Sequence, residues 1–171
     1  QQHGIARPTI SMTALSQVNR AIDKGDGGAT IAIKRSEIDG VAGNIVAAWP
    51  GFVETMFGIA IDIGSTTVAG HLIDLTTGEV MSSSGVMNPQ IRFGEDLMSR
   101  ISYVMMNPGS EVELTDAVRS ALDDLVGNLV GQADATRDEV LELVLVGNPV
   151  MHHLFLGYDP TPLGGAPFAL A

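Results

Sequence analysis

The spacing of apolar residues in the first third of the chain predicts one helix and two short strands. Apolar side chains recur on one helical face over residues 15–22, and the glycine-rich segment 25–28 ends that helix. Residues 30–34 and 45–49 have the pattern of strands, with a turn at 38–40 between them. The pattern therefore predicts a small α+β piece, and none of its residues suggests catalytic chemistry.

From Phe57 onward the pattern predicts the element order β-β-β-α-α-β-α. The predicted strands are 57–64, 68–75, 79–86 and 140–146. The predicted helices are 95–105, 110–129 and 150–156. Because the first three strands are joined by connections too short for crossover helices, we expect them to form an antiparallel meander.

Two local patterns refine this prediction. Ser110 followed by Glu113 matches a capping box at the start of the second helix. Residues 140–146 form a near-continuous apolar run, which is typical of a buried parallel strand with both faces covered. We therefore expect that strand to be buried on both faces.

Charge divides the chain into two parts. The 171 residues include 9 Lys and Arg against 20 Asp and Glu, a formal charge of -11. Residues 1–56 are neutral in sum, so residues 57–171 carry the whole excess, and we place a domain boundary near Met56. Such an acidic chain lacks the clustered cations that bind a nucleic-acid backbone or an anionic membrane. With 45% hydrophobic residues it can bury a core, which excludes wholesale disorder.

The absence of cysteine excludes several kinds of site. A disulfide scaffold, a thiolate zinc site, a cysteine nucleophile and a cysteine-held iron–sulfur cluster all need residues that this chain lacks. No apolar stretch approaches the ~20 residues of a membrane span. Residues 1–10 do not combine a basic patch with an apolar run, so we expect no signal peptide in them. We expect a cytoplasmic protein. Because the chain starts at Gln1 and stops without a tail, we expect it to be a piece of a longer one.

The strongest chemical signal is the segment 62–67 between the first two predicted strands. Gly64 permits close approach of the backbone to a ligand, and three hydroxyl residues add donors, as a phosphate cradle requires. The three are Ser65, Thr66 and Thr67. Asp62 at the strand end can hold Mg²⁺ through water. The alternative is a turn-forming aspartate followed by ordinary strand residues, and the residues alone leave both interpretations open.

A P-loop is excluded independently. The pattern GxxxxGK[ST] does not occur, and no lysine follows Lys34.

A second candidate is Gly147-Asn148, which follows an apolar strand and opens a helix. That position delivers a polar side chain and a helix N-terminus to the edge of an α/β sheet where ligands usually bind. The alternative, a plain strand-to-helix turn with Pro149 early in the helix, is favoured by these residues alone. His152 and His153 are adjacent, so they point about 100° apart and do not share a metal.

A third candidate is a polar loop over the site within residues 88–101. Its members are Asn88, Gln90, Arg92 and Arg100. They mix amide donors and acceptors with two of the four cations in the acidic part. The structural alternative is that Asp96 favours a helix N-terminus and pairs with Arg100 four residues later.

Taken in order, these segments resemble one family. The hairpin at 57–67 is similar to the first phosphate-binding element of the acetate and sugar kinase, heat-shock chaperone and actin superfamily. More narrowly, the chain resembles the ATP-dependent reductive activators of corrinoid proteins, which are ferredoxin-like activators. The segments that carry this resemblance are 58–69, 74–79, 88–90, 99–101, 146–148, 151–154 and 166–168. They cover about two-thirds of the chain, and residues 1–56 resemble more weakly a small middle or linker domain.

The resemblance implies an α/β fold, a ribonuclease H-like first lobe of an actin/sugar-kinase-type ATPase domain, with the second lobe absent from this chain. It implies that Asp62 positions Mg²⁺ and a water, and that the β and γ phosphates of ATP are held by the turn. The implied phosphate contacts are Gly64, Ser65, Thr66, Thr67, Gly147 and Asn148. One departure is Pro149-Val150, where the family usually has a pair of threonines.

The resemblance also implies a function for the longer protein, as an ATPase-coupled reductive activase. ATP hydrolysis would drive uphill electron transfer from a [2Fe–2S] domain outside this chain to a cobalt(II) corrinoid protein, giving cobalt(I) for methyl transfer. Its partners would be the corrinoid protein and an electron donor to the cluster, and a homodimer stays open. The alternatives are a sugar- or acid-type kinase lobe and a non-catalytic module that docks a partner.

Overall fold

The computed structural model describes residues 8–35 and 43–165. The chain divides into two compact units, one ending at Met56 and the other starting at Phe57. The turn predicted at 38–40 and the segment 166–168 lie outside the described residues. In the ranges described, no helix combines the length and the apolar character that crossing a membrane requires.

The first unit is a small sheet with one helix. Its elements are β1 (Thr9–Ile10), α1 (Met12–Lys24), β2 (Ala29–Lys34) and β3 (Asn44–Pro50). Strand β3 lies between β1, to which it is parallel, and β2, to which it is antiparallel. Ser11 caps α1 by accepting a hydrogen bond from the Ala14 amide at 3.1 Å. The predicted helix and both predicted strands are confirmed, and β1 is too short to leave a pattern.

The second unit is built on a four-stranded sheet. Its strands are β4 (Phe57–Ile63), β5 (Thr67–Asp74), β6 (Val80–Met87) and β7 (Val140–Gly147). Their order is β6-β5-β4-β7, in which the first three pair antiparallel and β7 pairs parallel with β4. The predicted meander is confirmed. A meander extended by a strand parallel to its first strand is the ribonuclease H-like arrangement that the resemblance implies.

Three α-helices complete this unit. They are α2 (Leu97–Met106), α3 (Glu111–Gln132) and α4 (Pro149–Leu156). Single 3₁₀ turns lie at Pro89–Phe93, Arg137–Glu139 and Thr161–Gly164. Helix α3 packs over β5 and β6, and its Leu125 and Leu129 join Ile61 and Leu72 in one buried cluster. The core therefore lies on one face of the sheet.

The capping box predicted at Ser110 is wrong. Ser110 has helical dihedral angles (φ -74°, ψ -9°), and its side chain makes no cap hydrogen bond. The reason is local, because the Ser110 amide already bonds the Asn107 carbonyl in a tight turn and a capping side chain needs an extended residue. Capping boxes form instead at Asp96 with Ser99, before α2, and at Thr136–Glu139, before the second 3₁₀ turn named above.

The prediction that the last strand has both faces covered is also wrong. Leu143, Val144 and Val146 of β7 are each half exposed. Within the described residues β7 pairs only with β4, and α3 packs over β5 and β6. An apolar run indicates that a strand can be buried, but its burial in the fold depends on which elements pack against it.

Asp74 makes the turn after β5 sensitive to pH. Its Oδ1 atom accepts hydrogen bonds from the Thr76 amide at 2.7 Å and the Thr76 hydroxyl at 2.6 Å. These hydrogen bonds hold the pKa of Asp74 below its ordinary value. The resulting stability is present above the pKa of the unfolded chain and is lost as the pH falls through the folded-state pKa.

We expect Asp74→Asn to lower the free energy of unfolding at neutral pH, and the deficit to shrink as the pH falls below about 4. Urea unfolding at a series of pH values measures it. Asp116→Asn, at an exposed position on α3, is the matched control for loss of one charge. A deficit that is equal at about pH 3 and about pH 7 would contradict this account of Asp74.

Candidate functional site

Asp62 lies one residue before the end of β4 and faces away from the core. Ile61 and Ile63 on either side are fully buried, and side chains alternate along a strand, so the carboxylate of Asp62 points to the opposite, exposed face. Within residues 8–35 and 43–165 it makes no hydrogen bond or ion pair, and no three carboxylate or histidine side chains cluster as metal ligands. Asp62 is therefore free to bind water or a hydrated cation.

The parallel pairing of β4 with β7 brings the first two candidate segments together. Asp62 lies opposite Val146, and Ile63 lies opposite Gly147. Because parallel strands end at the same edge of a sheet, the turn after β4 and the start of α4 are neighbours. The strands are close here, since a Cβ on Gly147 would lie 3.1 Å from the Ile63 carbonyl oxygen.

Asn148 caps α4. Its Oδ1 atom accepts a hydrogen bond from the Met151 amide at 3.0 Å, and Pro149 occupies the first helical position. This is the plain strand-to-helix turn that the sequence favoured. The side-chain nitrogen of Asn148 donates to no other described residue, so it is the atom through which this residue could contact a ligand.

Three consecutive carbonyl groups of the turn after β4 are hydrogen-bonded from the protein interior. The side-chain amide of Asn88 donates to the Gly64 carbonyl at 2.8 Å. The Arg100 Nη2 atom donates to the Ser65 carbonyl. The backbone amide of Asn88 donates to the Thr66 carbonyl at 2.8 Å. Hydrogen bonds from Asn88 and Arg100 to these three carbonyl oxygens therefore fix the turn.

The inward carbonyls determine where the amides of the turn point. In a trans peptide the C=O of one residue and the N–H of the next point in opposite directions. The N–H groups of Ser65, Thr66 and Thr67 therefore face away from the interior. The amides of Ser65 and Thr66 donate to no other residue that the structure describes. Successive outward amides of this kind form an anion-binding concavity, and Asp62 lies three residues before the first of them.

Of the third candidate group, Asn88, Gln90 and Arg100 are completely buried behind the turn. The Asn88 Oδ1 atom accepts from the Gln90 amide at 2.9 Å, and the Gln90 Oε1 atom accepts from Arg100 Nη1 at 3.2 Å. Gln90 also donates to the Leu114 carbonyl at 2.9 Å. These side chains connect the turn to α3, so they lie under the candidate site and not over it.

Arg100 has further partners in the interior. Its Nε atom donates to the Gly94 carbonyl at 3.0 Å, and its Nη1 atom lies 3.3 Å from the sulfur of Met151 on α4. The predicted pairing with Asp96 does not form, because the Asp96 carboxylate accepts the Ser99 amide at 2.7 Å and caps α2. Burial lowers the pKa of Arg100, and the charge of Asp96 opposes that shift. The guanidinium stays charged at neutral pH.

Arg92 is not brought to the turn. It is exposed, and its guanidinium lies 4.6 Å from the centre of the Phe93 ring. It lines an open groove of about 620 Å³ with α3 residues that include Glu113, Asp116 and Asp124. The structure thus separates Arg92 from the other members of the predicted loop.

Two residues of this network were not predicted from the sequence. A Cβ on Gly94 would lie 2.6 Å from the Arg100 amide nitrogen, so glycine is needed where the 3₁₀ turn meets α2. Met151 has no polar group that would draw attention to it. No signal in the sequence identifies them, because Asp96, four residues before Arg100, offers the arginine an ordinary partner.

Gly64 is required by a close backbone contact within the turn itself. A Cβ at this position would lie 2.5 Å from the Thr67 carbonyl oxygen, a distance that forces the turn to move. We expect Gly64→Ala to lower the free energy of unfolding by about 1–3 kcal/mol. Urea unfolding tests this, with Gly131→Ala on α3 as the control because an added Cβ meets nothing there. Equal effects of the two substitutions would refute the packing argument.

Known proteins resemble this chain along most of its length. The family described as RACo middle region matches residues 57–171. The corrinoid activation enzyme RamQ of Eubacterium limosum is 37% identical over 113 residues, which are 66% of this chain and 19% of that protein. The solved structure of a reductive activator for a corrinoid, iron-sulfur protein matches 99% of this chain and 27% of its own, with 30% identity and a TM-score of 0.79.

The structural match confirms the predicted fold class. The chain spans about a fifth of the curated relative and about a quarter of the solved activator. The likeness therefore concerns one part of these larger proteins.

Proposed function

The chain belongs to the RACo middle region family, and on that premise we propose that its second unit holds the phosphates of ATP within a reductive activator of corrinoid proteins. The observation that carries the proposal is the turn after β4. Its carbonyls are bound from the interior, so its amides face outward beside a free carboxylate.

The turn suits a polyphosphate in its chemistry. Outward amides of Ser65, Thr66 and Thr67 and the hydroxyls of the same residues are donors, which are what phosphate oxygens accept. Gly147 and Asn148 approach from β7 and add the side-chain nitrogen of Asn148. We assign the turn to the β and γ phosphates and Asn148 to the neighbourhood of the transferred phosphate.

Asp62 fits Mg²⁺ held through water. A single carboxylate without a protein partner is the usual protein contribution where the phosphates supply the other ligands. The ion would neutralise the charge that develops on the phosphate oxygens during hydrolysis. Asp62 would orient its water ligands, so losing this carboxylate should harm turnover more than folding.

The longer protein would couple this ATPase to electron transfer. One electron would pass from a reduced [2Fe–2S] domain to a cobalt(II) corrinoid, giving cobalt(I) for methyl transfer. That cluster cannot lie in this chain, which has no cysteine. We place residues 57–171 as the first lobe of the ATPase domain and residues 1–56 as a small middle or linker domain. The charge of -11 suits a protein partner in the cytoplasm better than nucleic acid.

The test follows the visible spectrum of a cobalt(II) corrinoid protein mixed with the full-length protein, a reductant and Mg-ATP. We expect ATP-dependent formation of the cobalt(I) spectrum. Asp62→Asn should slow it about 100-fold, because the carboxylate that orients the hydrated Mg²⁺ is lost. Asp116→Asn, which removes an exposed carboxylate on α3, should leave the rate unchanged.

The other outcomes separate the alternatives. Hydrolysis of ATP without any cobalt(I) spectrum would favour the sugar- or acid-type kinase. Failure of the full-length protein to bind Mg-ATP would favour a module that only docks a partner. Full activity of Asp62→Asn would refute the assignment of the site.

A further inference from the structure

Arg100 makes no ion pair with any described residue, and the charge of Asp96 acts on it only from a distance. Its side chain is completely buried, and all its hydrogen-bond acceptors are neutral. No carboxylate of the described residues forms an ion pair with it, and Asp96 is occupied at the cap of α2. A buried charge without a counter-ion is costly. An anion bound next to it would offset that cost.

One route from this charge to the surface runs through a peptide group of the turn after β4. Arg100 Nη2 binds the Ser65 carbonyl oxygen, and the N–H on the other side of the same peptide group belongs to Thr66. A cation on the carbonyl oxygen polarises the peptide and strengthens its N–H as a donor. The buried cation therefore makes the outward N–H of Thr66 a stronger hydrogen-bond donor.

We propose that Arg100 is a positioning residue for the phosphates, and that its buried positive charge is completed by the bound polyphosphate. The proposal rests on the proposed function. Arg100 does not touch the nucleotide. It fixes the Ser65–Thr66 peptide so that the amide of Thr66 faces the phosphate, and it supplies positive charge behind the turn.

Only an arginine can make this set of contacts. Its Nε, Nη1 and Nη2 atoms donate to three different oxygens, which lie on Gly94, Gln90 and Ser65. A lysine has a single nitrogen and cannot span them. The Nη1 atom also contacts the sulfur of Met151, whose amide is bound by the capping side chain of Asn148. Arg100 thus contacts both the turn after β4 and the first turn of α4, and so fixes their relative position.

Gln90→Glu separates the charge of Arg100 from its geometry. Glutamate has nearly the shape of glutamine and keeps the oxygen that accepts from Arg100 Nη1. It adds a negative charge in contact with the guanidinium, so the buried charge is neutralised while the arginine remains in place. The substitution also gives up the hydrogen bond from Gln90 to the Leu114 carbonyl and places a carboxylate oxygen against that carbonyl, so we expect it to lower stability.

The experiment measures the Kd of the full-length protein for Mg-ATP by titration calorimetry, with circular dichroism to verify folding. We expect Arg100→Met to raise the Kd about 10-fold or more, and Arg100→Lys, which keeps the charge, to raise it less. Gln90→Glu should raise the Kd of the folded protein about fivefold. Arg137→Met is the matched control, because Arg137 is exposed and its ion pair with Asp123 is on the surface. It should leave the Kd unchanged.

A purely structural role for Arg100 predicts a different result. It predicts lower melting temperatures for the arginine variants, with the Kd of the folded protein unchanged in all of them and in Gln90→Glu. That outcome would overturn the proposal while leaving ATP binding intact. If Arg100→Met does not fold, Arg100→Lys and Gln90→Glu decide in the same way. If the unsubstituted protein fails to bind Mg-ATP, the proposed function fails and this inference fails with it.

Discussion

The hydrogen bond from Arg100 to the Ser65 carbonyl is the constraint on which the candidate site depends. It joins residues that are 35 positions apart, and it fixes the middle peptide of a turn whose neighbouring carbonyls are held by Asn88. Because each carbonyl is bound inside, each following amide is presented outside. The turn can therefore bind an anion through its backbone without any cationic side chain at the surface. This agrees with a unit that carries no lysine and only four arginines.

The fold places this turn where a second strand can contribute. Strand β4 ends beside β7, so the start of α4 lies next to the turn, and the Met151 sulfur extends the buried network into that helix. Asp62 faces the opposite way from the core because the pleat alternates between Ile61 and Ile63. The buried side of the turn therefore carries the positive charge of Arg100, and the exposed side carries the negative charge of Asp62. A hydrated cation and a polyphosphate together suit that arrangement of charges.

The sequence predicts best what is determined locally. The meander follows from alternation and short connections. Gly64 was identified for close approach of the backbone to a ligand, whereas its contact with Thr67 is visible only in the fold. The capping box at Ser110 failed because a preceding turn made that residue helical. The burial of β7 failed because an apolar run does not say what covers it. The position of Arg100 could not be predicted, because two of its three oxygen acceptors are backbone carbonyls that folding brings near, and these have no residue-type signal.

The most direct test of the central claim is the structure of the full-length protein with Mg²⁺ and a non-hydrolysable ATP analogue. The account predicts phosphate oxygens within hydrogen-bonding distance of the Ser65 and Thr66 amides, with Asp62 facing the water ligands of the ion. Arg100 should remain behind the turn on the Ser65 carbonyl. Phosphates bound elsewhere, for example in the groove beside Arg92, or a turn whose amides face inward, would contradict it.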